Sequence, residues 1–239
     1  GMVLNSTLTV ADGRVCFVES RDPGVLEGGA GRQTADVWQR QFLVALDANS
    51  GELLWETPID TVDGKAAFTM ASDGDHLVIV SSADTKFHTY VFNAKNGQPL
   101  WTATSGWGKG KADHGTHLSR PAIVGDRLIV RPAVYDLASG EQLEMKMPIS
   151  GCGTYACTES ALIFRSWSGQ DFAMWSFEDE SYTRWPRLRP DCWLSSIPAD
   201  GLLLSPEGGG GCSCGKWRET SLAFIPKQHL SKAASTDSR

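Results

Sequence analysis

The fold is decided by twelve consecutive residues, Val44-Ala45-Leu46-Asp47-Ala48-Asn49-Ser50-Gly51-Glu52-Leu53-Leu54-Trp55, because their pattern returns at 90–101 and at 133–144. In each copy an apolar strand ends in Asp or Asn, whose short side chain can bond the backbone of a following turn. A glycine four residues later supplies the positive φ that a tight turn needs. The next strand then carries Trp, except in the third copy, where Glu144 takes its place.

The repeated positions define a unit of constant size. They are Asp47, Gly51 and Trp55 in the first copy, Asn93, Gly97 and Trp101 in the second, and Asp136 and Gly140 in the third. The glycines lie 46 and then 43 residues apart, which is the period of a four-stranded propeller blade. An apolar hairpin with an Asp-Gly or Gly-Asp turn precedes each copy and supplies the other two strands.

We therefore predict an all-β chain that folds as a β-propeller of about five four-stranded blades. The ring either closes with these blades or belongs to a larger ring. The predicted blades occupy residues 6–58, 66–104, 117–148, 153–188 and 192–226 of a single domain, 1–239.

The composition limits the classes of partner. The net charge is −6, and the basic residues are scattered along the chain, so we expect no nucleic-acid partner. No apolar run approaches the roughly 18 residues of a membrane-spanning helix, and we recognise no signal peptide. We therefore expect no insertion into a membrane.

The repeats resemble those of the PQQ-like, or tryptophan-docking, β-propellers found in bacterial quinoproteins and in scaffold lipoproteins of outer-membrane assembly. The resemblance covers 42–104 well and 117–144 in part, since Glu144 departs from it. The last third is similar to the end of large propeller proteins of planctomycete-type bacteria. That similarity rests on stretches at 151–154, 189–193, 197–202 and 212–214.

The resemblance also implies which features a quinone-dependent enzyme of this family would have. Family members with that activity bind calcium, use a catalytic Asp and commonly carry two adjacent cysteines under the quinone. This chain has no adjacent cysteine pair and is short for the eight blades of such enzymes. We therefore expect no bound PQQ, and a fragment of a quinone-dependent dehydrogenase remains an alternative.

Five of the six cysteines lie in the last 90 residues, where the tryptophan pattern is lost: Cys152, Cys157, Cys192, Cys212 and Cys214. Disulfides among them would replace missing packing between blades and would indicate an oxidising compartment. A zinc site built on thiolates is the alternative, and free thiols are a third. Cys16 lies in a strand-like context and is expected to be buried.

His114 and His117 form a second candidate site. Two imidazoles three residues apart can reach one metal ion, and Asp113 is placed to orient them. A polar turn whose rings bond the backbone is the alternative. A metal- or redox-dependent site combining these histidines with the C-terminal cysteines is thus one functional hypothesis.

The sequence contains no nucleophile elbow, zinc-protease motif or phosphate loop, and enzymatic activity is therefore not expected. A propeller presents variable loops on a rigid frame. We predict a non-enzymatic binding or scaffold domain for a protein or carbohydrate partner, located in the periplasm or outside the cell. Other domains of a longer native chain are further candidate partners. Trp107, near Gly108 and His114, is the predicted surface aromatic for binding.

Overall fold

The computed structural model describes residues 1–27, 39–61, 66–107, 120–145, 147–148, 155–165, 171–186, 196–206 and 220–225. Strands dominate these residues. The helical segments are a 3-10 turn, Asn5–Thr7, and a five-residue helix, Pro23–Glu27. No helix in the described ranges has the length and apolar character needed to cross a membrane.

In the described residues, nineteen strands form five antiparallel sheets, which we call A to E in chain order. Sheet A contains β1 (Met2–Val3), β2 (Thr9–Ala11), β3 (Arg14–Ser20), β4 (Gln41–Asp47) and β5 (Leu53–Ile59). Sheet B contains β6 (Ala66–Ser72), β7 (His76–Ala83), β8 (Lys86–Asn93) and β9 (Pro99–Gly106). Sheet C contains β10 (Ala122–Val124), β11 (Arg127–Val130) and β12 (Ala133–Asp136).

The remaining strands form the last two sheets. Sheet D contains β13 (Ala156–Cys157), β14 (Ala161–Arg165), β15 (Asp171–Ser176) and β16 (Tyr182–Pro186). Sheet E contains β17 (Ile197–Ala199), β18 (Leu202–Ser205) and β19 (Leu222–Phe224). Within the described residues sheets C and E thus have three strands each, and a single bridge between Tyr135 and Gln142 continues sheet C.

The chain forms two compact units. Unit 1 comprises Gly1–Ala112 and His117–Met145, and therefore holds sheets A to C. Unit 2 comprises Asp113–Thr116 and Lys146–Arg239, and holds sheets D and E. The single-domain organisation expected from the repeat therefore stays a prediction.

The core of unit 1 lies between its sheets. Between sheets A and B the buried side chains include Val18, Leu43, Leu77 and Ile79. Between sheets B and C they include Val78, Val80, Phe87, Val91, Leu128, Val130 and Tyr135. Successive side chains point to opposite faces of a strand, so β7 and β8 of sheet B contribute side chains to both cores. Burial of each such side chain stabilises the fold by about 1.5–3 kcal/mol.

A β-bulge in sheet A and another in sheet B determine the face of the strand on which the repeated tryptophan lies. The pairing of β4 with β5 slips by one residue between Ala45 and Leu46, so that Trp55 lies opposite Ala45. The same slip between Val91 and Phe92 places Trp101 opposite Val91. Because side chains alternate between the two faces of a strand, each extra residue turns the following Trp to the face that meets the next sheet.

Candidate functional site

The repeated turn has the same backbone geometry in sheets A, B and C. Its glycines have φ values of 74° at Gly51, 71° at Gly97 and 75° at Gly140. In each turn the glycine N–H donates to the carbonyl of the Asp or Asn four residues earlier, at 2.8–2.9 Å. The carboxylate or amide of that residue accepts one or two backbone N–H groups of the turn at 2.7–2.9 Å. The turn is therefore a rigid feature that the sequence specifies locally.

Two of these turns hold an indole from the preceding sheet. Trp55 of sheet A donates its indole N–H to the carbonyl of Ala94 in sheet B at 3.2 Å. Trp101 of sheet B donates to the carbonyl of Leu137 in sheet C at 2.9 Å. Ala94 and Leu137 hold the same position in their turns, three residues before the glycine. The contact between neighbouring sheets in unit 1 therefore repeats from one pair to the next.

Glycine is required at these turns for two reasons. The backbone φ lies in the left-handed region, which side chains other than glycine adopt at a cost. In addition, a Cβ atom at Gly97 would lie 2.6 Å from the ring of Trp55. A Cβ at Gly140 would lie 2.6 Å from the ring of Trp101. The glycine therefore leaves the space that the indole occupies.

Hydrogen bonds within the turns also lower the pKa values of the aspartates that begin them. Backbone N–H donation by Ser50 and Asn49 lowers the pKa of Asp47. The Ser139 hydroxyl and backbone N–H lower the pKa of Asp136 in the same way. Asn93 replaces the acid in sheet B and makes the corresponding bond without a charge. The acids are thus held ionised by structural hydrogen bonds, which explains their shifted pKa without a catalytic role.

A cleft of about 790 Å³ lies between sheets D and E in unit 2. One wall is the face of sheet D that carries Ile163, Phe172, Met174 and Trp185. The opposite wall comes from sheet E and includes Pro198, Leu203 and Phe224, which lie side by side in the strand register. Polar groups of Thr158, Ser160 and Asp200 also line it.

The shape of the wall follows from strand alternation. Ile163 pairs with Met174, and Phe172 pairs with Trp185, so these four side chains share one face of sheet D. The rings of Phe172 and Trp185 lie 5.8 Å apart at 30°. Ile163 and Phe172 are only 4 % and 3 % exposed, so the accessible apolar surface comes from the half-buried Met174 and Trp185 and from sheet E. The cleft is thus an apolar surface in a volume typical of ligand-binding pockets.

Most of the predicted metal and cysteine sites lie outside the described residues. This holds for His114, His117, Asp113, Cys152, Cys192, Cys212 and Cys214. Their metal binding and disulfide bonding therefore stay predictions. Within the described ranges, no three His, Cys, Asp or Glu residues are grouped as a metal site would need. Cys157 is half-buried in β13.

Cys16 is buried, as predicted. It is 3 % exposed in the core between sheets A and B. Burial raises the pKa of its thiol to about 11, against an opposing effect of the nearby Arg14 charge. The thiol is therefore protonated at neutral pH, and it belongs to the packing of unit 1.

The prediction that Trp107 lines an exposed surface is wrong. The residue is 8 % exposed and belongs to the core between sheets B and C. Its ring lies 6.3 Å from that of Phe87, and its backbone N–H donates to the Thr85 carbonyl at 2.9 Å. Its place directly after β9 suggested a loop, but this bond folds the chain back onto the sheet.

A fourth copy of the turn was missed by sequence analysis. In sheet D, Ser176 N–H donates to the Ser181 carbonyl at 3.0 Å, as Asp47 N–H donates to Glu52 at 2.8 Å. Glu180 has a φ of 54° and occupies the position of the glycine. Without a glycine or an Asp at its start, the copy carries no sequence signal of the repeat. Sheet D also lacks the bulge, since Trp175 pairs with Tyr182 and Met174 with Thr183.

Comparison with known proteins agrees with this geometry. Residues 8–147 match the family model PQQ_2, whose description is outer membrane protein assembly factor BamB. The chain belongs to this family. The match covers more than half of the chain and includes all three tryptophan-pattern copies. Among curated proteins, no sequence matches the chain.

A solved structure extends the likeness in fold beyond residue 147. The Neurospora crassa Pan2 WD40 domain matches with a TM-score of 0.52 and 8 % sequence identity. The match covers 94 % of this PQQ_2 chain and 60 % of the Pan2 chain. At this identity the likeness shows the fold alone. The predicted all-β propeller class and the PQQ-like repeat are therefore confirmed.

Proposed function

We propose that this PQQ_2 chain is a non-enzymatic binding domain whose cleft between sheets D and E takes an apolar segment of a protein partner. The observation that carries the proposal is the cleft itself, about 790 Å³ in volume, whose half-buried apolar lining includes Met174, Trp185, Leu203 and Phe224. Apolar walls of this kind gain free energy when a partner excludes water from them.

The chemistry of the lining favours a protein over a carbohydrate. A sugar ring presents hydroxyl groups on every side and needs a hydrogen-bond partner for each one that becomes buried. The cleft offers Thr158, Ser160 and Asp200 as its polar side chains. Aliphatic and aromatic side chains of a peptide are better matched to the remaining lining, and aromatic residues are frequent anchors at interfaces.

The tryptophan contacts supply the rigid frame that such a site needs. We interpret the contacts of Trp55 with Ala94 and of Trp101 with Leu137 as tryptophan docking. They fix sheets A to C, while the sheets without this contact carry the cleft. By its likeness to the outer membrane protein assembly factor, we propose a scaffold role and a location in the periplasm or outside the cell.

A random peptide library tests the proposal. We expect the chain to select peptides rich in aromatic and aliphatic residues, and Leu203→Glu to weaken their binding by about tenfold or more, because the charge would enter the apolar wall. Ile197→Glu is the matched control, since Ile197 lies on the same sheet, is 55 % exposed and does not line the cleft. The control is expected to bind as the parent chain does.

The same experiment separates the alternatives. Selected peptides that bind Leu203→Glu and the parent chain equally would place the binding surface elsewhere. An oligosaccharide array tests the carbohydrate partner in parallel. If the parent chain binds an oligosaccharide and Leu203→Glu does not, the partner of the cleft is a carbohydrate and not a protein. Urea titration of each variant confirms that its fold is retained before binding is compared.

A further inference from the structure

The cleft between sheets D and E has a polar end, which is formed by turns between neighbouring strands. The turn between β13 and β14 contributes Thr158 and Ser160 to the lining, and the turn between β17 and β18 contributes Asp200 and Gly201. Corresponding turns of successive blades lie on the same side of a propeller, so both turns border the same end of the cleft. Among the described lining residues, Asp200 is the charged one.

Acidic residues accumulate at this end of unit 2. The turn at 177–181 belongs to it as well, because the Phe177 N–H donates to the Ser160 carbonyl at 2.9 Å. We call the turns at 158–160, 177–181 and 200–201 the acidic end, since they contain no Lys or Arg. Their acids are Glu159, Glu178, Asp179, Glu180 and Asp200. The summed field of these acids favours a positively charged ligand group over a negative one.

The carboxylate of Asp200 is available to a ligand. Asp200 is exposed, and its side chain has no ion pair or hydrogen bond within the part of the chain that the structure describes. The hydroxyl groups of the neighbouring turn are engaged, since Thr158 Oγ1 accepts the Ala161 N–H at 3.0 Å and lies 3.4 Å from Ser160 Oγ. A basic group at the acidic end therefore finds its ion-pair partner in Asp200.

The backbone fixes where this carboxylate lies. Asp200 and Gly201 have φ values of 49° and 73°, and two successive positive φ values are typical of a tight two-residue hairpin. The turn joins Ala199 to Leu202, which pair with each other and line the cleft. The carboxylate is thus held on a rigid support beside the apolar wall.

The opposite end of the cleft is apolar. Strand β14 begins at Ala161, beside the turn at 158–160, and four residues later Arg165 pairs with Phe172. Phe172 in turn pairs with Trp185, which is half-buried and lines the cleft. Four strand residues correspond to about 13 Å. An extended segment of about four residues therefore spans the cleft from the acidic end to Trp185.

We propose that the protein segment bound by this cleft carries a Lys or Arg that pairs with Asp200, and an apolar side chain about four residues away that packs on Trp185. This inference rests on the proposed function, because it names the chemistry of the segment that the cleft takes. The apolar lining supplies the free energy of binding, and the charge of Asp200 selects which segments bind and in which register.

The sequences of peptides selected from the random library are the first test. We expect Lys and Arg to be enriched about fivefold or more over Asp and Glu at a position about four residues from an aromatic or aliphatic anchor. Selected peptides without this enrichment, whose binding Leu203→Glu still weakens, would overturn the pairing with Asp200 and leave the cleft as the binding site. Selected peptides that bind Leu203→Glu equally would instead overturn the proposed function.

Asp200→Asn then measures the role of the carboxylate. The probes are a selected peptide with its basic residue and a copy in which Glu replaces that residue. We expect the parent chain to bind the basic peptide about tenfold more tightly than the Glu copy. In Asp200→Asn this ratio should fall to about threefold, because Asn accepts a positive φ but carries no charge. An unchanged ratio would place the basic residue elsewhere.

Asp84→Asn is the matched control. Asp84 is exposed and also has a φ of 49°, in the two-residue turn between the paired residues Ala83 and Lys86. It belongs to unit 1 and does not line the cleft. The control should keep the full ratio, and an equal fall in both variants would contradict a direct contact with Asp200. Raising the salt from about 50 mM to about 500 mM should lower the ratio in the parent chain, because salt screens an exposed charge.

Two further measurements test other occupants of the cleft. Sedimentation across a concentration series would identify a second copy of this chain if the parent dimerises and Leu203→Glu does not. An alkyltrimethylammonium ion that binds the parent more tightly than any selected peptide, and binds Asp200→Asn more weakly, would identify a small cationic amphiphile. Either result would overturn the assignment of a protein segment.

Discussion

Sheets A to C and sheets D and E are built from the same kind of hairpins, yet their interiors differ. In unit 1 a Trp and a Gly meet at each boundary between sheets, and the interior is closely packed. In unit 2 the described residues include neither the bulge nor the glycine, and a cleft of about 790 Å³ separates the sheets. The comparison indicates that the Trp and Gly pair closes the space between blades, and that its loss leaves room for a ligand.

The largest expected effect comes from removing a docking Trp. Trp101→Ala should lower the free energy of unfolding by about 3–5 kcal/mol, because it leaves a cavity between sheets B and C and removes the bond to Leu137. Trp185→Ala should cost about 1–2 kcal/mol, since one side of Trp185 already faces the cleft. Urea titration measures both. Equal losses of unfolding free energy would contradict the difference in packing between the two units.

The next effect compares the turn at 93–97, which holds the Trp55 ring, with the turn at 47–51, where a Cβ at Gly51 meets no described atom within 4 Å. Gly97→Ala should cost about 2–4 kcal/mol, from the positive φ and from the clash with the Trp55 ring. Gly51→Ala should cost about 1 kcal/mol, because the φ penalty acts alone. Thermal and urea unfolding of the two variants give the difference. Similar losses would mean that the clash with the Trp55 ring does not add to the φ penalty at Gly97.

A smaller change should stabilise unit 2. Glu180→Gly removes a side chain from a residue with a φ of 54°, and should raise the free energy of unfolding by about 0.5–1 kcal/mol. Glu178→Gly, at a neighbouring turn residue that is not among those with positive φ, is the control and should not stabilise. A loss of stability in Glu180→Gly would show that the positive φ of Glu180 carries no strain that a glycine relieves.

The smallest effect concerns pH. The folded pKa values of Asp47 and Asp136 are lowered by turn hydrogen bonds, so their contribution is present above the unfolded pKa and is lost as pH falls through the folded value. The double variant Asp47→Asn and Asp136→Asn should therefore lose less stability than the parent between about pH 5 and about pH 2. Parallel urea midpoints would contradict this assignment.

Sequence alone predicted the parts of the fold that are encoded locally. The turns of sheets A to C need Asp or Asn followed by Gly, and both are readable as residue types. The turn of sheet D could not be found, because Ser176 and Glu180 adopt the same backbone without either signal. The burial of Trp107 and the cleft depend on how sheets meet in space, which residue spacing does not specify.

The bulge opposite Ala45 has a consequence for how such a repeat changes over generations. Deleting Leu54 would restore regular pairing and would leave Trp55 opposite Ala45, so the contact with the next blade can survive the loss of a codon. Regaining a lost contact is equally direct. In sheet D, where pairing is already regular, a substitution to Trp at Thr183 would place the indole on the face shared with Met174, which lines the cleft. A docking position can therefore be lost or regained by a single substitution, whether or not its strand keeps the extra residue.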